Sequence, residues 1–141
     1  MKVCAQVGSV AAARKAVDAV VAQGVEAGGH VEGEVSTLAL VPRVVDAITL
    51  VPIIASGGLA DGRELVAALA LGAEAAAFGT RFLATQEANA HPLYRDRLVA
   101  ASEEETVRAI LFGFGWPHAP HRTLRTAFVE QWLGREEQGQ E

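Results

Sequence analysis

The stretch PIIASGGLADGRELVAALALGAEA, Pro52 to Ala75, decides the fold. A short β-branched run, Ile53 to Ser56, stops at the pair Gly57-Gly58 and gives way to an Ala- and Leu-rich run. Asp61 with Glu64 three residues later is the N-cap and N3 pair of a helix carrying Leu65, Val66 and Leu69. Gly72 ends that helix, and Glu74 to Phe78 forms the next strand, closed by Gly79-Thr80. Strand, helix and strand in this order specify a parallel pair with a crossover helix.

The same alternation extends toward the amino terminus. Val3 to Val7 is a strand closed by Gly8, and Ser9 caps a helix through about Val17. Ala19 to Gln23 is a strand ending at Gly24, before the Gly-rich loop Val25 to His30. The connection through Asp18 and Ala19 lacks the Gly-containing turn that usually reverses the chain. Leu38, Val41, Val45 and Ile48 share one helical face, with Ser36 or Thr37 as cap; Pro42 fits only if it lies in the first turn.

Beyond Thr80 the repeat is lost. Pro92 to Ala101 and Ser102 to Leu111 read as helices, the second with Ser102 and Glu105 in capping-box spacing. A Gly/Pro/His loop covers Gly113 to Arg122, and Thr123 to Leu133 is a weak helix. The expected architecture is α/β: four parallel strand-helix units in residues 1–90, a helical segment in 91–133 and a disordered polar tail in 134–141. A complete eight-fold barrel needs roughly 250 residues. The 141 residues therefore describe a small open α/β sheet or a half-barrel, the second half of a TIM barrel followed by C-terminal helices.

Composition narrows the function classes. Half of the residues are apolar and 21% are charged, which excludes a polyelectrolyte. Twelve Lys and Arg against 17 Asp and Glu leave a net charge of -5, which argues against general nucleic-acid binding. No apolar run reaches the ~18 residues of a membrane span, and Met1-Lys2-Val3-Cys4 lacks the block of a signal peptide, so a cytoplasmic protein is expected. The single cysteine, Cys4, reads as a small buried hydrophobe.

Two glycine-rich exits, Gly57-Gly58 and Gly79-Thr80, follow consecutive parallel strands. Adjacent loops of this kind can aim backbone N–H groups at one anion, although glycines also simply punctuate strand-to-helix turns. In barrels a phosphate commonly binds after strands seven and eight. His30 lies in a loop at the same end of the sheet, and imidazole is suited to moving a proton near neutral pH. His118 and His121 flank Pro120 but have no second ligand pair, so no metal is expected; His91 reads as a helix start. Glu103-Glu104-Glu105 reads as a solvated helix start, and Trp116 and Trp132 as packing anchors.

The segments QGVEAGGH (Gln23 to His30), LALVPRVVDAI (Leu38 to Ile48), Pro52 to Ala75, and GTRFLATQEANAHPLY (Gly79 to Tyr94) together resemble the nitronate monooxygenase family. These are FMN-dependent barrel enzymes also called 2-nitropropane dioxygenases. GWPHAPHRTLRTAF, Gly115 to Phe128, is similar to the tail of bacterial members. The resemblance makes Gly57 and Gly58 the first phosphate loop of FMN and Phe78, Gly79 and Thr80 the second. It places Gln23 and Gly28 near the flavin and makes His30 the base facing its ring. In such enzymes a bound nitronate gives an electron to the flavin, and O2 completes oxidation to a carbonyl compound and nitrite. His30 takes the α-proton where the neutral nitroalkane is accepted.

Matched to that family, the first strand here is the fifth of the barrel, and strands one to four are missing. Two open sheet edges follow, and with them an expectation of self-association. Flavin-dependent enoyl-acyl-carrier-protein reductases share the EAGGH and GTRF motifs, and Ser56 resembles NADH-quinone reductases. A third reading is an inactive half-barrel that retains the phosphate cradle.

Overall fold

A computed structural model describes residues 2–15, 18–112, 116 and 118–139. In chain order the elements are β1 (Cys4–Val7), α1 (Val10–Ala13), β2 (Ala19–Gln23), β3 (Gly29–His30), α2 (Thr37–Ala47), β4 (Ile53–Ser56), α3 (Gly62–Ala70), β5 (Ala75–Ala77), α4 (Thr80–Leu83), α5 (Pro92–Ala100), β6 (Thr106–Ala109), β7 (His121–Leu124) and α6 (Ala127–Trp132). A 3-10 turn, Glu136–Gly139, lies within the expected polar tail. The described residues form two compact units: Met1–Ala27 with Val31–Gly79, and Gly28–His30 with Thr80–Glu141.

The first unit is the expected parallel α/β half-barrel sheet, in the order β1-β2-β4-β5. All three pairings are parallel, as strands joined by helices must be. Val20, Ala22 and Ala55 on the strands and Val41 and Val44 on α2 are fully buried and form one core with Val7, Leu40 and Ile53. Asp61 and Glu64 make the expected reciprocal cap of α3. Hydrogen bonding from Arg63 holds the Asp61 carboxyl far below the usual carboxylate range.

Four expectations in this unit need correction. Leu38 is 68% exposed, and the buried stripe of α2 is Thr37, Leu40, Val41 and Val44. The stripe is turned because Thr37 is drawn inward by polar contacts described below. Pro42 lies in the interior of α2 rather than its first turn. The carbonyl that loses its donor is that of Leu38, in a turn open to water, where the loss is compensated. Cys4 is exposed because β1 is an edge strand. Ser9 caps α1 as expected, accepting from the Ala12 N–H at 3.2 Å, but the helix ends at Ala13 with Arg14 as its C-cap instead of continuing to about Val17, itself outside the described residues.

The second unit differs more from expectation. Its sheet is antiparallel, in the order β3-β7-β6. Ser102 to Leu111 is not a helix: the Glu105 carboxylate does accept from the Ser102 N–H at 2.9 Å, but the two close a tight turn into β6. The Ser-x-x-Glu spacing is the same for a turn and a helix start, and the β-branched Thr106 and Val107 favour the strand. Glu105 therefore serves this turn, its carboxyl lowered first by the Ser102 N–H and then by Arg97. His121 to Leu124 is a strand rather than loop and helix, and α6 starts only at Ala127. His30 belongs to a two-residue strand instead of a loop. Gly113 to Gly115, the start of the expected Gly/Pro/His loop, lies outside the described residues. His91 starts α5, its Nδ1 accepting from the Leu93 N–H. No helix among the described residues is long and apolar enough to cross a membrane.

Candidate functional site

Parallel strands aim their carboxyl ends the same way, so the register decides which residues meet at that edge. Gln23 on β2 stands beside Ser56 on β4, and Ser56 beside Ala77 on β5. The exits Gly57-Gly58 and Phe78-Gly79 therefore leave from neighbouring strands, with buried Gln23 at the end of the third.

The first exit needs glycine for two reasons. Gly57 has φ +100° and Gly58 φ +68°, a region unfavourable for residues with a Cβ. A Cβ on Gly57 would also sit 2.9 Å from the Gly24 carbonyl oxygen and 3.1 Å from the Thr37 hydroxyl. At Gly79, by contrast, an added Cβ meets nothing within 4 Å among the described residues, so this backbone faces open space there.

Two residues hold the first loop: Thr37, expected only as a possible helix cap, and Glu26, which the sequence did not single out. The Thr37 hydroxyl lies 2.7 Å from the Gly57 carbonyl oxygen and 3.0 Å from Glu26 Oε2; its one proton serves one acceptor at a time. The Thr37 N–H donates to the Glu26 carboxylate, Oε2 at 3.0 Å. Ser36 occupies the N-cap position of α2 without a side-chain hydrogen bond, so Glu26 caps the helix from a distance and complements its dipole. The pattern Glu26-Ala27-Gly28-Gly29-His30 was visible, but its glutamate can be recognised as a cap only once the chain is folded.

In the second unit an added Cβ on Gly28 would lie 2.5 Å from the Thr80 hydroxyl oxygen, so these two candidates are close neighbours. His30 is exposed and its ring stacks on Trp116, centroids 4.9 Å apart. His121 faces His30 across the β3–β7 pair, with ring centroids 5.9 Å apart. Phe112 leans on His121, Phe128 on Phe112, and Trp132 on Phe128. Trp116 is thus a ring partner of His30 while 62% exposed, and Trp132 packs as expected. Among the described residues no group of three or more His, Cys, Asp or Glu side chains is arranged to hold a metal.

Comparison with known proteins places this geometry. The family model for nitronate monooxygenase matches residues 1–138. A Mycobacterium tuberculosis protein named as monooxygenase Rv1533 is 50% identical over 117 residues, covering 82% of this chain and 30% of that protein. A Staphylococcus aureus protein named as a nitronate monooxygenase is 42% identical over 109 residues, 70% of this chain and 30% of its own length. Among solved structures, FabK from Thermotoga maritima superposes with a TM-score of 0.85 at 42% identity, covering 99% of this chain and 46% of that one. Nitroalkane oxidase from Streptomyces ansochromogenes gives a TM-score of 0.82 at 31% identity, covering 94% and 41%. The chain thus spans less than half the length of each of these proteins. Its motifs, its parallel sheet and a match along almost every residue agree, and the chain belongs to the nitronate monooxygenase family.

Proposed function

We propose that this chain carries the FMN phosphate site and the proton-accepting histidine of an enzyme that oxidises alkyl nitronates with O2 to a carbonyl compound and nitrite. The observation that carries the reading is the row of strand ends in the first unit. Gly57-Gly58 and Phe78-Gly79 leave adjacent strands, and the backbone at Gly79 is open to a ligand. The Glu26 charge beside Gly58 does not oppose a phosphate strongly, because its carboxylate is engaged by the Thr37 N–H and faces the dipole of α2. The residues present therefore suit a phosphate group.

In this reading Gly57, Gly58, Phe78, Gly79 and Thr80 hold the FMN phosphate, and Gln23 and Gly28 lie near the flavin. FMN supplies the one-electron chemistry when bound. His30 accepts the α-proton of a neutral nitroalkane; a nitronate arrives without that proton and does not need the base. The protein works in the cytoplasm, and the open edges β1 and β5 support self-association, which gel filtration would report as a mass above that of one chain.

The test is O2 uptake and nitrite release by the chain supplied with FMN and an alkyl nitronate. Stoichiometric nitrite is expected. A second reading is a flavin-dependent reductase: the EAGGH and GTRF motifs suit an enoyl-acyl-carrier-protein or NADH-quinone reductase, and Ser56 directly before the glycine pair, at the end of β4, favours the latter. Anaerobic bleaching of the flavin by NADH, without nitrite from nitronates, would decide for it.

A further inference from the structure

His121 is a buried imidazole that the proposed reaction does not use. It is 5% exposed and directly opposes His30 in the β3–β7 register, so both side chains leave the sheet by one face. The rings meet edge-on, with planes 63° apart. His121 Nδ1 lies 3.4 Å from the Ala119 carbonyl oxygen. A carbonyl only accepts, so Nδ1 carries the proton and Nε2 of the neutral ring presents a lone pair. Among the described residues that buried Nε2 has no hydrogen-bond partner. Buried acceptors are rarely left so, because each forfeits its hydration.

We infer that His121 is a positioning residue for His30: its Nε2 accepts the N–H that His30 gains on protonation. The inference rests on the reading of His30 as the base. When the α-carbon–hydrogen bond breaks, the electron pair stays with the nitronate and the proton adds to the His30 ring. The imidazolium then has an N–H on each nitrogen, and His121 offers an acceptor across the strand pair. The proton stays on His30, since burial and the neighbouring His30 charge both hold the His121 ring below its ordinary pKa.

The surroundings leave this role to His121. The residue facing it on β6 is Ala109, and Phe112 covers its ring. Arg108 and Arg122 oppose each other at the alternate positions of β6 and β7, whose side chains leave by the other face. On α6, Glu130 is engaged with Arg125, and His118 in the preceding loop is exposed.

The experiment is an NMR titration of the imidazole nitrogens in the 15N-labelled chain. In His121→Phe, which keeps a ring of similar size, the His30 midpoint should fall, because the charged form loses an acceptor. In His121→Asn, whose amide can donate to Ala119 and still offer an oxygen, at least half of that shift should be restored. An unmoved His30 midpoint in a folded Phe variant, or equal shifts in both variants, would overturn the inference. If the Phe variant does not fold, the native chain decides: a 15N–15N coupling across a hydrogen bond from protonated His30 to His121 Nε2 supports the pairing, and its absence refutes it. None of these readouts needs flavin or turnover. The shift without nitrite release would refute the monooxygenase reading and keep the histidine pair; nitrite release with an unmoved midpoint would do the opposite.

Discussion

In the first unit parallel strands alternate with helices over an aliphatic core of Val, Leu, Ile and Ala, whereas the second joins segments far apart in the chain into an antiparallel sheet beside a cluster of rings. The aliphatic unit presents backbone: two glycine exits fixed by register and by the Glu26–Thr37 contacts. The aromatic unit presents side chains: His30, Trp116 and His121. On the function proposed above, the first binds an anion and the second moves a proton.

The largest expected effect breaks or sharpens that division directly. His30→Asn should lower turnover of a neutral nitroalkane by about 10²–10⁴-fold, the usual range for loss of a general base, and leave turnover of the corresponding nitronate nearly unchanged. Equal losses on both substrates would remove the proton role from the second unit.

Core substitutions come next. Leu40→Ala, at a site 2% exposed, should cost about 2–5 kcal/mol by urea unfolding. Val129→Ala in the smaller core of the second unit removes less apolar surface and should cost roughly 1–2 kcal/mol. Equal costs would mean that the two cores are not of different quality. Gly57→Ala forces a Cβ onto φ +100° and should cost about 1–3 kcal/mol, with weakened FMN retention.

The smallest effect is a pH dependence. The folded state holds His121 below its ordinary pKa, so as pH falls through about 6.5 the unfolded chain binds protons that the folded chain refuses. Stability should therefore be complete above that pH and decline below it. Urea midpoints taken at pH 7.5 and at about pH 5 should differ less for His121→Phe than for the native chain.

The same contrast explains what the sequence could reveal. β2 and β4 begin and end where the alternation of β-branched and Ala-rich runs puts them, because each strand-helix unit is encoded in contiguous residues. The face of α2 was misjudged because Thr37, a polar residue, is buried by contacts with Glu26 and Gly57 that no periodicity announces. β3 could not be read at all: Gly29-His30 is a strand only because β7 lies beside it. His121, dismissed as half of a weak metal pair, becomes notable only when folding places it opposite His30 and buries it.

The central claim, that the carboxyl edge of the parallel sheet receives the FMN phosphate, is tested most directly by titrating FMN fluorescence with the native chain and with Gly79→Leu. The Cβ this adds meets nothing within 4 Å among the described residues, so the variant should fold as the native chain does. The account predicts quenching of FMN by the native chain and its loss in folded Gly79→Leu. Equal binding by both, or none by the native chain, would contradict it.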